Sequence, residues 1–215
     1  RDTGGYPDEY GIFFAGSGSS VLGATLAAYI TPESRYYHSA MLIDRMKLAA
    51  AFLRRVQHKD GRIDLPTTNF DSTPDTGFVV HGAAMAAQMA RMAKIDLPDL
   101  NEFLHNAGEA LITGGVHTPN HRWVVCQAMS QLNELWPDKR YEKRIAQWMA
   151  EGIDIDADGQ FNERSTTIYN TVTDNALTTL ALKTNRPELL DIVRRNLESM
   201  LYFIHPDGEV VTDIS

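Results

Sequence analysis

Apolar residues recur along this chain with the 3.6-residue spacing of an α-helix, and almost no stretch shows the alternation typical of a β-strand. Capping residues, prolines and turn glycines bound the apolar stretches, and together they predict eight helices. The predicted ranges are 17–30, 32–57, 74–94, 97–113, 120–136, 138–152, 166–184 and 186–204. The chain is therefore expected to be an all-α protein.

The connections between the predicted helices alternate in length. Four are short, and each carries a proline that is expected near the first turn of the next helix, where its missing N–H costs nothing. They are Thr31–Pro32, Leu97–Pro98, Trp136–Pro137 and Arg186–Pro187. The others are longer and rich in turn residues. Successive antiparallel helices then place all long loops at one end, which predicts an (α/α) toroid of helical hairpins.

Composition and charge narrow the classes of partner. The chain has 20 Lys and Arg against 28 Asp and Glu, a net charge of −8, and no basic run, so nucleic-acid binding is not expected. No apolar stretch approaches the roughly 20 residues of a membrane span, so no membrane partner is expected either. The lone cysteine, Cys126, excludes an internal disulfide and a cysteine-based zinc site. No linker divides the sequence, which predicts a single domain over residues 1–215.

Two patterns superficially suggest a cofactor. Residues 11–23 contain a glycine-rich turn before a helix, but the third glycine is misplaced for dinucleotide binding and the next element is a helix where a parallel strand is needed. His117 and His121 have the spacing of helical metal ligands, but Pro119 between them disfavours a continuous helix and no carboxylate completes a set. We therefore predict neither a cofactor nor a metal.

Three long loops deliver polar and aromatic side chains to helix starts. Because the predicted hairpin array brings these loops to one end, their side chains are expected to converge there. The candidates are Asn69, Phe70, Asp71 and Asp75 in the first loop, His117, Asn120, His121, Arg122 and Trp123 in the second, and Glu163, Arg164 and Tyr169 in the third. Structural roles are open for them as well. Asparagine and aspartate favour helix caps, and aromatic residues suit the core as well as sugar stacking.

The second and third loops resemble a known family. The adjacent pair Asn120–His121, and the Asp158–Gly159 turn that leads to Tyr169, are similar to motifs of the heparinase II/III-like and oligoalginate-type polysaccharide lyases. The specific match covers residues 115–124 and 158–170. The resemblance implies that Asn120 and His121 neutralise a uronate carboxylate and that Tyr169 acts as base. It also implies an acidic polysaccharide or oligosaccharide substrate, and a periplasmic or secreted location.

The chemistry of such a lyase explains these residue types. β-Elimination removes a proton beside a carboxylate whose negative charge opposes carbanion formation, so donors that hydrogen-bond the carboxylate favour the reaction. A nearby cation, Arg122 or Arg164, would favour the phenolate form of the tyrosine base. The remaining candidates are predicted to bind substrate: Arg122, Trp123, Arg164, Glu163, Asn69, Phe70, Asp71 and His117.

The sequence departs from this family in two respects. Arg164 replaces an expected small residue, and neither the family's C-terminal β-sandwich nor the full six hairpins are present. The toroid is thus expected to be incomplete, weakly active by itself and able to associate through uncovered terminal helices. The apolar segment 210–215 is expected to begin further structure.

Two other functions remain open. The first is an (α/α) toroid glycoside hydrolase of the unsaturated glucuronyl hydrolase type, whose acid would be one carboxyl group among Asp71, Asp75, Glu163 and Asp174. The second is a glycan-binding domain without catalysis.

Overall fold

The computed structural model describes residues 3–166 and 168–211, which are 62% helical with eight α-helices, and this confirms the all-α fold class. Segment 212–215, part of the predicted start of further structure, lies outside the described residues. The helices are α1 (Ala15–Ile30), α2 (Ala40–Val56), α3 (Thr73–Met92), α4 (Pro98–Thr113), α5 (Pro119–Leu135), α6 (Lys139–Ala150), α7 (Tyr169–Thr184) and α8 (Glu188–Met200). A 3₁₀ turn, Leu201–Phe203, follows α8. None of the helices within the described ranges has the length and apolar character that crossing a membrane requires.

Helix α2 begins later than predicted. It starts at Ala40, and the residues from Pro32 onward form turns instead of a first helical turn. The cause lies at His38, whose φ of 53° is left-handed and cannot continue a right-handed helix. The His38 N–H donates to the Tyr29 carbonyl oxygen at 3.0 Å, and its ring stacks on the rings of Tyr29 and Tyr37. The prediction that Pro32 opens a helix was therefore wrong.

The remaining short connections agree more closely with the prediction. Pro98 is the first residue of α4, and Pro187 is the N-cap residue of α8. Pro137 lies just before Asp138, the N-cap residue of α6, whose side chain accepts a hydrogen bond from the Arg140 N–H. Proline thus marks these three helix starts within one or two residues, as its lack of an N–H favours.

Residue contacts divide the chain into two compact units, 1–115 and 116–215, and each is described by itself. The single domain expected from the sequence stays a prediction. Unit 1 contains α1 to α4, with α1 packed on α2 and α3, and with α4 packed on the same two helices. A short antiparallel hairpin, β1 (Ile63–Leu65) and β2 (Asn69–Ser72), fills the long loop before α3. It carries Asn69, Phe70 and Asp71 of the first group of candidate residues, and Asp75 follows in the first turn of α3.

Unit 2 contains α5 to α8. Helix α5 packs on α6 and α7, and α8 packs on α7. The Gln127 amide, halfway along α5, donates to Thr179 Oγ1 at 3.0 Å, and Lys183 near the end of α7 pairs with Glu134 near the end of α5. These contacts keep the same order along both helices, so α5 and α7 run parallel. Both therefore begin at one end of the unit, which carries the second and third groups of candidate residues.

One tight turn recurs four times in the described residues. It starts at Asp8, His58, Asp156 and His205. In each copy the first N–H donates to the carbonyl oxygen of the fifth residue, and the fourth residue is a glycine whose N–H donates back to the first carbonyl oxygen. The four glycines, Gly11, Gly61, Gly159 and Gly208, have φ between 81° and 89°, a region that glycine adopts without steric cost.

We predict that Gly61→Ala destabilises the protein more than Gly11→Ala does. Both substitutions put alanine at a positive φ, which costs roughly 1–2 kcal/mol. A Cβ at Gly61 also collides with the Asn106 carbonyl group, whereas a Cβ at Gly11 has no described atom within 4 Å. The collision should add a further ~1–3 kcal/mol. Urea unfolding of both variants measures the difference, and equal losses would contradict the importance of this close approach.

Candidate functional site

The start of α5 is tied to the loop before α7 by Asn120 and Glu163. The Asn120 backbone N–H donates to Glu163 Oε2 at 2.8 Å, and its side-chain Nδ2 donates to Oε1 at 2.6 Å. Thr118 is the N-cap residue and Pro119 the first residue of α5, so Asn120 does not cap the helix. The Glu163 carboxylate instead satisfies a backbone donor of the first turn, where the helix dipole favours a negative charge.

This arrangement bears on the predicted role of Asn120. The side chain is only 2% exposed, and both amide hydrogens are directed at protein oxygens, one at Glu163 and one at Thr118 Oγ1, 3.3 Å away. Asn120 Oδ1 is buried and accepts no hydrogen bond from the residues that the structure describes. An oxygen acceptor repels a carboxylate. Neutralisation of a uronate by Asn120 stays a prediction. It requires the Asn120 amide to give up its hydrogen bond to Thr118 and to donate to the substrate carboxylate instead.

Arg122 is engaged by two carboxylates. Its guanidinium donates to Glu151 Oε2 at 2.9 Å and to Asp154 Oδ1 at 3.1 Å, and its side chain is 11% exposed. It also lies 4.5 Å above the ring of Trp123. Trp123 itself is completely buried in the core of unit 2, so its predicted role in sugar stacking is corrected to a packing role. The reason is that Trp123 lies on the apolar side of α5, one position after the polar residues of the first turn.

Two histidines lie beside a shallow groove at the same helix start. The ring of His117 contacts that of His121 edge to face, with 4.7 Å between the ring centroids. The groove has a volume of about 230 Å³, and its lining includes His117, Thr118, Arg122 and Glu151. This places His117, predicted to bind substrate, at a concave surface.

Tyr169 is the first residue of α7, and its side chain is 44% exposed. Because α5 and α7 run parallel, it lies at the end of unit 2 that carries His121. Arg164, in the loop between Glu163 and the helix, is exposed and has a left-handed φ of 44°. The predicted base is thus accessible to solvent, as a residue that contacts a substrate must be.

Asp174 stands out on the buried side of α7. It is 7% exposed, and neither carboxylate oxygen has a hydrogen-bond partner among the described residues. Burial raises the pKa of Asp174 to about 7. One turn earlier, Asn170 donates to Gln160 Oε1 at 3.3 Å and also keeps a buried oxygen without a described donor. A carboxyl group that exchanges a proton near neutral pH is suited to acid–base chemistry.

In unit 1 the first group of candidates is largely structural. Ser72 caps α3 and hydrogen-bonds Asp75, whose backbone N–H donates back to Ser72 Oγ. The two residues form a reciprocal capping arrangement. Asn69 Nδ2 also donates to Asp75 Oδ2 at 3.1 Å. Phe70 is 68% exposed, so it remains available to a ligand, unlike Trp123.

His58 is a residue that the sequence did not single out. Its Nε2 lies 2.9 Å from Asp64 Oδ1, and its Nδ1 lies 3.5 Å from Asp71 Oδ1. The Asp71 N–H, on a residue with φ of 48°, donates to the same Asp64 oxygen. These three side chains are close enough to share a metal ion. Both ring nitrogens already face carboxylates, however, so a metal would have to displace one contact.

The structure therefore joins the predicted residues in pairs. Asn120 contacts Glu163, His117 contacts His121, and Arg122 lies over Trp123 in unit 2, while Asn69 contacts Asp75 in unit 1. Apart from its mention as an acid in the hydrolase alternative, Asp174 was not chosen. A signal was present in the sequence, since an aspartate occupies a position on the apolar side of α7.

We predict that Glu163→Ala lowers the free energy of unfolding by roughly 2–4 kcal/mol, because it leaves a buried backbone N–H and the Asn120 amide without their acceptor. Glu151→Ala is a matched control, since it removes an exposed carboxylate from Arg122, which keeps Asp154. The control should cost less than ~1 kcal/mol. Chemical unfolding of both variants provides the test, and a similar loss in the two would remove the special role of Glu163.

A second prediction concerns Asp174→Asn. Between about pH 4 and pH 7 the folded protein holds a proton on Asp174 that the unfolded chain has released, so this group makes stability fall as pH rises through that window. Above pH 7 the full cost of a buried charge is present. The variant should therefore be more stable than the parent at pH 8, by up to ~4 kcal/mol, and equally stable near pH 4. Urea titrations at both pH values measure this. A difference that does not vary with pH would contradict the assignment.

Comparison with known proteins adds evidence about the fold. No protein-family model and no curated protein matches this sequence. Among solved structures, the chain is similar to the cellobiose 2-epimerase from Bacillus thermoamylovorans B4167, with a TM-score of 0.57 and 13% sequence identity over 97% of this chain and 67% of that chain. At this identity the likeness shows the fold alone. It supports the predicted (α/α) toroid of helical hairpins and does not extend to the lyase family.

Proposed function

We propose that this chain is a carbohydrate-active enzyme whose chemistry takes place where α5 and α7 begin. The similarity in fold to a cellobiose 2-epimerase, a protein named for its action on a sugar, supports this class. The ionisable groups of this end support it as well. Tyr169, His117, His121 and the buried Asp174 are of the types that transfer protons in catalysis. A periplasmic or secreted location belongs to the same proposal.

Within this class we propose β-elimination on a uronate-containing glycan. The observation that carries the proposal is the exposed Tyr169 side chain in the first turn of α7, at the end where α5 begins with His121 in its first turn. The phenolic oxygen of Tyr169 takes the C5 proton beside the uronate carboxylate. The electron pair forms the C4–C5 double bond, the C4–O bond breaks, and the glycosidic oxygen takes the proton back from Tyr169 as it leaves. His121 and the exposed Arg164 are the donors that would stabilise the negative charge on the carboxylate.

Asn120 and Glu163 would act beside these groups. Their two hydrogen bonds hold Asn120, the residue before His121, and so limit the positions that His121 can take. The amide hydrogen that faces Thr118 is the one that a uronate carboxylate would accept. Arg122 contributes less, because Glu151 and Asp154 already neutralise it. Substrate recognition in this proposal therefore depends more on His121 and Arg164 than on Arg122.

Asp174 supports a second candidate function, an acid–base reaction on a sugar of the hydrolase or epimerase type. A carboxyl group with a pKa of about 7 is partly protonated at neutral pH, so it can donate a proton to a leaving oxygen or take one from carbon. Its buried carboxylate oxygens, for which the described part of the chain provides no hydrogen-bond partner, favour this candidate. Since Tyr169 and Asp174 differ in exposure, the two functions predict different essential residues.

The test is a screen of acidic polysaccharides in which ultraviolet absorbance detects the conjugated, unsaturated uronate product. We expect Tyr169→Phe to lower the rate by roughly 10²- to 10⁴-fold while substrate binding is retained, because only the proton acceptor is removed. Tyr202→Phe is the matched control, since Tyr202 is 89% exposed beyond α8, and its rate should not change.

Other outcomes separate the alternatives. Hydrolysis would produce new reducing ends without ultraviolet absorbance, and epimerisation would invert one carbon centre of a neutral sugar. Either result would assign the second function if Asp174→Asn also abolished the activity. Saturable binding of a glycan that is never altered would instead identify a binding domain, and it would contradict the enzymatic proposal.

A further inference from the structure

Helix α8 and the turn that follows it form an apolar groove of about 660 Å³. Its lining includes the apolar side chains Leu190, Val193, Leu197, Leu201, Ile204 and Val210. Leu197 is 51% exposed and Leu201 is 67% exposed. A continuous row of exposed leucines is uncommon on a protein surface and indicates a site of association.

Two copies of the recurrent glycine turn show which kind of element packs against it: in each of them a helix lies against the glycine. In unit 1 the turn at Gly61 lies directly against the backbone carbonyl group of Asn106 in α4. In unit 2 the turn at Gly159 lies against the carbonyl group of Arg195 in α8, so closely that a Cβ would come within 2.5 Å of that oxygen. Both turns follow one helix, α2 or α6, and rest on a later one.

The contact between the Gly159 turn and α8 is specific in its chemistry. Asn196 of α8 is fully buried and donates from Nδ2 to the Gly159 carbonyl oxygen at 2.8 Å. At the base of the same turn, Ile155 pairs with Phe161, and Phe161 packs into one cluster with Val193 of α8. A helix placed on this turn thus supplies an amide donor to the glycine and an apolar side chain to the turn base.

The turn at Gly208 has the same backbone hydrogen bonds, but within residues 3–166 and 168–211 no helix lies against its glycine. Ile204 pairs with Val210 at its base just as Ile155 pairs with Phe161. No atom of the described residues lies within 4 Å of the position of a Gly208 Cβ. Phe161 is 3% exposed in the covered turn, whereas Ile204 is 45% exposed in this one. The last turn therefore presents a contact surface that the turns at Gly61 and Gly159 bury under a helix, whereas the turn at Gly11 is open at the same position.

We propose that the groove of α8 and the Gly208 turn binds an amphipathic α-helix, placed on this turn as α8 is placed on the Gly159 turn. The helix brings a backbone carbonyl group against Gly208, an amide side chain to the Gly208 carbonyl oxygen, and apolar residues onto Ile204 and Val210. A dimer of two facing grooves would pack the leucines of both copies against each other, but it would not bring a helix backbone against Gly208. A bound helix makes that contact as well, as α8 does at Gly159. The helix is therefore the better occupant.

The probe is a fluorescein-labelled peptide with the sequence of residues 186–201, which includes helix α8. Its Asn196 face is the one that contacts the Gly159 turn in the protein. A crosslink between positions 194 and 198, both on the exposed side of α8, keeps it helical. We expect saturable one-to-one binding to the full chain in fluorescence anisotropy. An Asn196→Leu peptide should bind at least ~10-fold more weakly, because it cannot donate to Gly208.

Substitutions in the protein locate the binding surface. Leu197→Glu and Leu201→Glu place a charge in the groove and should each weaken peptide binding at least ~10-fold. Leu182→Glu is the matched control, since Leu182 is 72% exposed on α7 outside the groove, and its affinity should equal that of the parent. Circular dichroism confirms that each variant is folded.

Two outcomes overturn the proposal. One is a failure to locate the peptide in the groove: either the peptide shows no saturable binding, or Leu182→Glu lowers the peptide affinity as much as the groove variants do. The other is a concentration-dependent dimer in sedimentation equilibrium that Leu197→Glu abolishes and the peptide does not displace, which would assign the groove to a second copy of this chain.

Discussion

The bond between Asn120 and Glu163 sets the geometry of the end of unit 2 on which the proposed chemistry depends. Helix α5 starts with a free backbone donor, and a carboxylate from the loop before α7 satisfies that donor together with the adjacent side-chain amide. This residue pair therefore ties the start of α5 to the loop that leads into α7. Tyr169, the first residue of α7, follows Glu163 by six residues.

Charge pairing determines which side chains at this end are available to a ligand. Arg122 pairs with Glu151 and Asp154, and Asn120 donates to Glu163. These side chains therefore stabilise the site and have few groups left to bind a ligand. Tyr169 and Arg164 are exposed at the same end of unit 2. The arrangement separates the residues that position the site from those that contact substrate in the proposed reaction, although the sequence motif lists them side by side.

The sequence predicted the helices well because apolar spacing and proline positions are local signals. It failed at residues 32–39, where the left-handed His38 and its ring contacts end the helical path, and neither feature has a local signature. It also could not tell whether Trp123 faces the core or solvent, since this depends on the orientation of α5 within the unit. His58 escaped notice for a related reason: its two carboxylate partners come together only through the β1–β2 hairpin.

Asn120 and Asp75 illustrate a limit of reasoning from residue types. Asparagine and aspartate near a helix start predict a cap, and Asp75 does take part in capping, but as the partner of Ser72. At α5 the N-cap residue is Thr118, and the proline that follows moves Asn120 inside the helix, where its backbone N–H donates to the carboxylate of Glu163, 43 residues further along the chain. A shift of two positions along the chain thus changes the role of a residue completely.

The burial of Trp123 has a practical consequence for the study of folding. The chain has three tryptophans, Trp123, Trp136 and Trp148, and all of them belong to unit 2. Intrinsic tryptophan fluorescence therefore reports on that unit alone, whereas far-ultraviolet circular dichroism reports on the helices of both. Coincident unfolding curves from the two signals would mean that the chain behaves as one cooperative system, and separated curves would mean that each unit has a stability of its own.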